Sequence, residues 1–342
     1  MLIVRQSCRA RLYSTSQLRS IVSDFPPVDF AMAYGSGVMH HGHSDAMVDL
    51  IFGVRDPISW HRDNIQRGHE HHYSLPARIL GPDRIAAFQK TAAGLHFNPL
   101  IQWDKNTVVK YGVIAIDDLC SDLQNWTTLY VSGRLHKPAT ILQASVQVRE
   151  LMRLNWRQAL NTALLLLPSR FTDRDLFHTI AGLSYAGDIR MKLGFGENPR
   201  KVSTIVQANF ADFKRLYASF IAEAQQSGYF HHDSSTTTEE RGAEFVSNLN
   251  RDKARAILSQ LPERVRQLCF AELHPSCPTM QSAEANAWSR TNLSDARRAL
   301  RHAIGRIGLE ATIWQSLKGL YTAGVSKSIA YAYRKSLKSM QR

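Results

Sequence analysis

Apolar positions change their spacing near residue 143. Upstream they form short, dense runs bounded by Gly, Pro and polar clusters, the pattern of buried strands. Residues 29–38 read as a strand entering a turn at Ala33-Tyr34-Gly35-Ser36-Gly37-Val38. Residues 46–54, with Met47-Val48-Asp49-Leu50-Ile51-Phe52, read as a second strand, and a His- and Gly-rich turn (His40, His41, Gly42, His43) joins the two. A helix is predicted over 83–93, a strand over 107–116, and a helix over 117–125 with Asp117 or Asp118 near its cap. Downstream, helical periodicity governs 143–166, 173–184 and 200–224. The Ser/Thr-rich segment 227–243 reads as a polar loop without fold-critical contacts. The expected class is α+β.

The last seventeen positions repeat the helical spacing. Ile329, Tyr333, Leu337 and Met340 make one stripe, and Lys327, Arg334, Lys335, Lys338 and Arg342 occupy other faces. Such a basic amphipathic helix can lie on an anionic membrane surface, where each cation contributes about 1 kcal/mol. No apolar run approaches the roughly 18 residues needed to span a bilayer; the longest, Ala163 to Leu167, stops at Pro168.

Charge sharpens this division. The 342 residues carry a formal +13. Residues 1–20 hold four Arg and no acid, and residues 287–342 hold eleven Lys/Arg against Asp295 and Glu310. The two ends therefore account for the whole excess, and residues 21–286 sum to zero. A nucleic-acid-binding core would spread basic charge over its central region, so nucleic acid is not an expected partner. The acid-free, Arg- and Ser-rich start (residues 1–20) has the composition of a mitochondrial presequence. The four cysteines, Cys8, Cys120, Cys269 and Cys277, make no short paired spacing, which argues against a zinc site or a disulfide framework.

Candidate chemistry concentrates in the first half. Small residues at Gly35-Ser36-Gly37 let a backbone turn approach a phosphate. Asp49 is a lone carboxylate in an apolar strand, a placement that is costly unless the acid is paired or holds a cation. A Gly-Ser turn followed by strand carboxylates is the polymerase-type nucleotidyltransferase pattern, in which a second acid stands two residues on; here that position is Ile51. Lys110, among valines in Val108-Val109-Lys110-Tyr111, should face a cavity or an anion. His61, Asn64 and His72 lie in a polar stretch whose amides and imidazoles suit a base edge, a ribose or phosphate oxygens, or equally a surface loop. Lys137 sits on a loop, and Asp188 and Arg190 follow in a Gly-flanked segment that reads equally as a helix end with a local ion pair.

Taken in order, YGSGV, MVDLIFGVRDPISWHRDN, HHYS, FNP, KYGVI, LYVSGRLHKP and GLSYAGDIRM resemble the mitochondrial phosphatidate cytidylyltransferase family over about residues 25–220. The resemblance implies a polymerase-type nucleotidyltransferase domain with a mixed sheet (21–142), then a helical winged-helix-like domain (143–225), a polar loop and helical region (226–286) and a basic C-terminal region with a membrane-surface helix (287–342). It implies transfer of a cytidylyl group from CTP to phosphatidic acid, with Mg²⁺, by a peripheral protein on the matrix side of the mitochondrial inner membrane. Ser36, Asp49, Lys110 and Asp188 are then expected at the reacting centre. Gly35, Ser36, Gly37, His61, Asn64, His72, Lys110, Lys137 and Arg190 are expected around the substrates. Asp49 is the expected metal ligand, with Asp118 or Asp188 as the second acid. Two other readings are weighed: an RNA nucleotidyltransferase, disfavoured by the neutral core and by Ile51, and a non-enzymatic assembly factor for the inner-membrane import machinery.

Overall fold

The computed structural model describes residues 13–35, 37–38, 47–187, 200–233, 243–275 and 292–323, with the side chains of 316, 317 and 319–323 left aside. Helix α1 (Thr15–Ser23) is opened by Ser14, which accepts from the Gln17 amide while the Gln17 side chain returns to the Ser14 amide. Leu18 and Ile21 on its inner face are buried in one cluster with Phe25, Leu50 and Phe52. The expected presequence boundary at residue 20 therefore falls inside a packed helix, and residues 15–20 belong to the fold. Residues 1–12 lie outside the described residues.

Five strands form the first sheet: β1 (Phe30–Tyr34), β2 (Val48–Val54), β3 (Leu95–Gln102), β4 (Val108–Ala115) and β5 (Thr140–Ala144), in the order β3-β4-β2-β1-β5. Only β2 and β4 run parallel, so the sheet is mixed. A parallel pair needs a long crossover. Here it is α2 (Pro57–Gln66), a 3₁₀ turn (His69–His72), α3 (Leu75–Gln89, kinked at Gly81) and β3. Helices α4 (Ile116–Asn125) and α5 (Ser132–Leu135) follow β4.

Alternation along the strands divides the side chains between two faces. Tyr34 stands opposite Asp49, and Asp49 opposite Lys110, so all three share one face with Met32, Ile51 and Ile114. The other face carries Ala33, Leu50, Phe52, Tyr111 and Val113.

The second unit begins with α6 (Val146–Leu166), followed by β6 (Arg170–Thr172), α7 (Asp173–Leu183), α8 (Lys201–Ala208) and α9 (Phe210–Gln226). Helical periodicity over 200–224 thus resolves into two helices that meet at Asn209. Strands β7 (Phe230–His232) and β8 (Glu244–Ser247) join β6 in an antiparallel sheet ordered β6-β8-β7. The segment 227–243 is accordingly more than a loop, because Phe230 is 1% exposed and packs on Phe171 and Phe245. Helices α10 (Arg251–Ser259), α11 (Glu263–Leu273) and α12 (Leu293–Ala323) complete the described chain. α12 packs on α11 and reaches the first sheet, where Lys318 donates to the carbonyls of Gln89 and Thr91 at 2.8 and 2.9 Å. The expected amphipathic helix 326–342 lies outside the described residues. Among the described residues no helix is long and apolar enough to cross a membrane.

Candidate active site

The site starts from a strand pair and a turn. Asp49 enters β2 beside the end of β1, where Gly35 turns the chain at φ +78°, a left-handed conformation that suits glycine. A Cβ at Gly35 would stand 2.9 Å from Asp49 Oδ2, so the missing side chain is what lets the turn touch the carboxylate. Gly37 acts similarly on the next stretch, since a Cβ there would stand 2.8 Å from the Met47 carbonyl oxygen. From β4, Lys110 Nζ reaches to 3.8 Å from Asp49 Oδ1 and 4.6 Å from the Phe97 ring centre. Asp49 and Lys110 side chains retain 19% and 16% exposure, enough for a ligand to reach them.

The same face continues through aromatic and cationic groups. The Tyr34 phenol is pushed up to about 12, chiefly by burial, and so stays protonated. The Arg134 guanidinium lies 5.3 Å from the Tyr34 ring and 3.8 Å from the Tyr130 ring, and donates to the Tyr130 carbonyl at 2.5 Å. Lys137 Nζ donates to the Gly133 carbonyl at 2.5 Å and to Ser184 Oγ at 2.7 Å, and lies 5.0 Å from the Tyr185 ring. Burial, then the charges of Arg134 and Lys201, hold Lys137 well below the ordinary lysine range.

Two devices fix the segment that carries Tyr130, Arg134 and Lys137. The first is the Asp122 carboxylate, 2% exposed. Its Oδ1 accepts from the amides of Thr128 and Leu129 and its Oδ2 from those of Val131 and Ser132, at 2.8 to 3.0 Å. The second is the helical unit. Asn155 donates to the Ser132 carbonyl, Trp156 to that of Leu135, and Tyr217 to that of His136. The helical unit thus holds backbone of the sheet unit in place.

His61, Asn64 and His72 are gathered elsewhere. Asn64 donates to the hydroxyls of Tyr73 and Tyr111, and His72 Nδ1 lies 3.0 Å from the Tyr111 hydroxyl. His61 bridges Tyr73 and Gln89. Tyr111 follows Lys110 in β4 and points to the opposite face, so this buried network is separated from Asp49 by the thickness of the sheet. Asp118 is also remote. It lies in α4 beside Gly94, past the far end of β4, and the strand between Lys110 and Ala115 alone spans about 17 Å. Ser36, Asp188 and Arg190 lie outside the described residues.

The structure therefore brings together Gly35, Gly37, Asp49 and Lys110, with Lys137 further along the same face. It adds Tyr34, Tyr130, Arg134, Tyr185 and Lys201, none of which the sequence reading singled out. The Tyr130–Arg134 spacing of four is the one signal in the sequence that could have pointed to the stacked guanidinium. Among the described residues no group of three His, Cys, Asp or Glu side chains could hold a metal ion. A single part-exposed carboxylate beside a glycine turn would suit Mg²⁺, which is commonly held by one or two carboxylates together with substrate phosphates.

Comparison with known proteins finds one family over almost the whole chain. The family described as "Phosphatidate cytidylyltransferase, mitochondrial" matches residues 18–338. The mitochondrial phosphatidate cytidylyltransferase of Rattus norvegicus is 37% identical over 328 residues, covering 93% of each chain. That of Drosophila melanogaster is 35% identical over 350 residues, covering 94% of this chain and 98% of its own. That of Schizosaccharomyces pombe is 33% identical over 335 residues, covering 94% and 83%. The match runs from inside α1 to beyond α12, well past the segment 25–220 that carries the motifs, and on this extent the chain belongs to the mitochondrial phosphatidate cytidylyltransferase family.

Proposed function

We propose that this protein transfers the cytidylyl group of CTP to phosphatidic acid, giving CDP-diacylglycerol and pyrophosphate for cardiolipin synthesis, on the matrix face of the mitochondrial inner membrane. The observation that carries the reading is the contact of Gly35 with Asp49 beside Lys110, on the strand where the family's motifs place their phosphate turn and carboxylate. The sheet unit is read as the polymerase-type nucleotidyltransferase domain, and the helices with the β6-β8-β7 sheet as the winged-helix-like domain.

The chemistry suits a site without a strong base. The attacking atom is a phosphate oxygen of the lipid, and a phosphomonoester is largely dianionic at pH 7 because its second pKa is about 6. The difficulty is to bring two anions together. In this reading Gly35, Ser36 and Gly37 hold triphosphate oxygens. Asp49 and those oxygens hold Mg²⁺, which when bound supplies charge neutralisation for an in-line displacement. Lys110, Lys137 and Arg190 offset the charge of the lipid phosphate and the departing pyrophosphate. Asp188 is the proposed second acid, since Asp118 stands at the far end of β4. The Tyr34 phenol, held protonated, is a hydrogen-bond donor beside the carboxylate. His61, Asn64 and His72 support β4 from behind rather than touching nucleotide. The basic amphipathic segment 326–342 gives access to a substrate that stays in the bilayer.

Purified protein incubated with each of the four labelled nucleoside triphosphates, phosphatidate liposomes and Mg²⁺ tests the reading. A lipid-soluble labelled product is expected from CTP alone and lost in Asp49→Asn. Label from ATP, GTP or UTP, or full Mg²⁺-dependent activity in Asp49→Asn, overturns it.

A further inference from the structure

A second cluster of positive charge lies along the same face, where the helical unit meets the sheet unit. Arg134 and Lys137 come from α5 and the residues just after it. Ser184 and Tyr185 come from the end of α7, and Lys201 opens α8. The Tyr185 ring sits between the two ammonium groups, 5.0 Å from Lys137 Nζ and 5.3 Å from Lys201 Nζ. Lys137 is 6% exposed, and its hydrogen bonds run to neutral oxygens, the Gly133 carbonyl and Ser184 Oγ. The buried Nε of Arg134 has no hydrogen-bond partner among the described residues. Among those residues no carboxylate pairs with Arg134 or Lys137. Placing cations together away from water costs free energy, and the arrangement is stabilised by an anion that binds among them.

We propose that Arg134, Lys137 and Lys201, with Tyr185 between the lysines, form a phosphate subsite at the junction of the two units, beside the Asp49 centre. Its ligand is a phosphate oxyanion, either the phosphomonoester head of the lipid or the pyrophosphate leaving group. The subsite rests on the cytidylyltransferase reading for the identity of its ligands, and on geometry alone for its existence. Because two units supply its groups, it is complete only while they are docked.

Lys201 is the residue to change, since it is partly exposed and its loss leaves the core intact. Full-length Lys201→Gln and Lys201→Arg are compared with wild type, using phosphatidylcholine vesicles carrying phosphatidate. Removing one charged contact to a phosphate is expected to weaken its binding about fivefold or more. If the lipid head occupies the subsite, the KM for phosphatidate rises by that factor in Lys201→Gln and the inhibition constant of pyrophosphate stays put. If pyrophosphate occupies it, the inhibition constant rises and the KM does not. In the second case the KM for CTP rises as well, because the departing pyrophosphate is the β- and γ-phosphates of bound CTP, whereas in the first it stays within about twofold; Lys201→Arg restores most of the loss in both. Both parameters within about twofold of an active wild type overturn the proposal. So does a fall in sedimentation onto phosphatidylglycerol vesicles that matches the rise in KM, which would mark general surface charge. Protection of the Lys137 and Lys201 amines from acylation by inorganic pyrophosphate reads the subsite without turnover. An inactive wild type that still shows protection refutes the cytidylyl-transfer reading and leaves the subsite standing.

Discussion

Gly35→Ala separates backbone strain from site geometry. An alanine at φ +78° costs about 1–2 kcal/mol from its left-handed conformation alone. For a chain of this size each kcal/mol lowers Tm by about 2–4 °C. The new methyl carbon would also stand 2.9 Å from Asp49 Oδ2, whereas ordinary contact begins at 3.4 Å. The carboxylate must therefore retreat by about half an ångström or rotate away from Lys110. Since a misplacement of about 1 Å can cost about 10²-fold, the expected loss in kcat is ten- to a hundredfold. Gly68→Ala is the matched control, because Gly68 is left-handed at φ +90° with nothing within 4 Å of its Cβ position. It should lose similar stability and keep its activity. The assay is transfer of label from CTP to liposomal phosphatidate, alongside thermal melting of both variants. A Gly35→Ala protein that melts early yet turns over within about twofold of wild type would refute the argument that the turn positions the carboxylate.

Three further outcomes follow from the same structure. Asp122→Ala strips four buried or partly buried amides of their acceptor and should lower unfolding free energy by about 3 kcal/mol or more in urea titrations; a loss below about 1 kcal/mol contradicts the loop-organising role. Burial holds His61 at about 4, His136 at about 3 and His96 well below the usual 6.5, so below pH 6.5 the unfolded chain takes up protons that the folded chain does not. Stability should therefore fall with falling pH, by about 3 kcal/mol per unit near pH 5 from His61 and His136, with His96 acting in the same direction, and His136→Gln should flatten the slope by about 1.4; an unchanged slope argues against a buried neutral imidazole. Deleting 326–342 should weaken sedimentation onto anionic liposomes and reduce activity on short-chain soluble phosphatidate less; retained sedimentation removes the membrane role of that segment.

The strands that carry the site were legible because they are buried and apolar with one charged intruder each. Asp49 in β2 and Lys110 in β4 stood out against their neighbours, and pairing of the two strands brings the intruders together. β3 was not legible, because His96, Asn98 and Pro99 interrupt its apolar run; its polar side chains face a buried cluster of imidazoles and phenols rather than water. The same cluster explains the stretch 56–73. Its amides and imidazoles look ligand-ready in one dimension, yet α2 turns Trp60, His61 and Asn64 inward, where Trp60 donates to the Pro26 carbonyl, His61 bonds Tyr73 and Gln89, and Asn64 donates to Tyr73 and Tyr111. Asp122 gave no sign of its role, since a third acid in a short helix that also carries Asp117 and Asp118 reads as a solvated surface group. Lys201 and Tyr185 could not be paired with Lys137 from spacing, because two different elements deliver them to one ring.

The close approach at Gly187 has its own consequence. A side chain there would collide with the backbone of Gly305 and Leu309, so α12 lies flush on the loop that presents Ser184 and Tyr185. Tension on the segment leaving α12 would be transmitted, helix backbone to loop backbone with no pliable side chain between, to the serine that holds Lys137. Were the proposed tail helix to dock on a bilayer, that load would fall on the joint between the sheet unit and the helical unit.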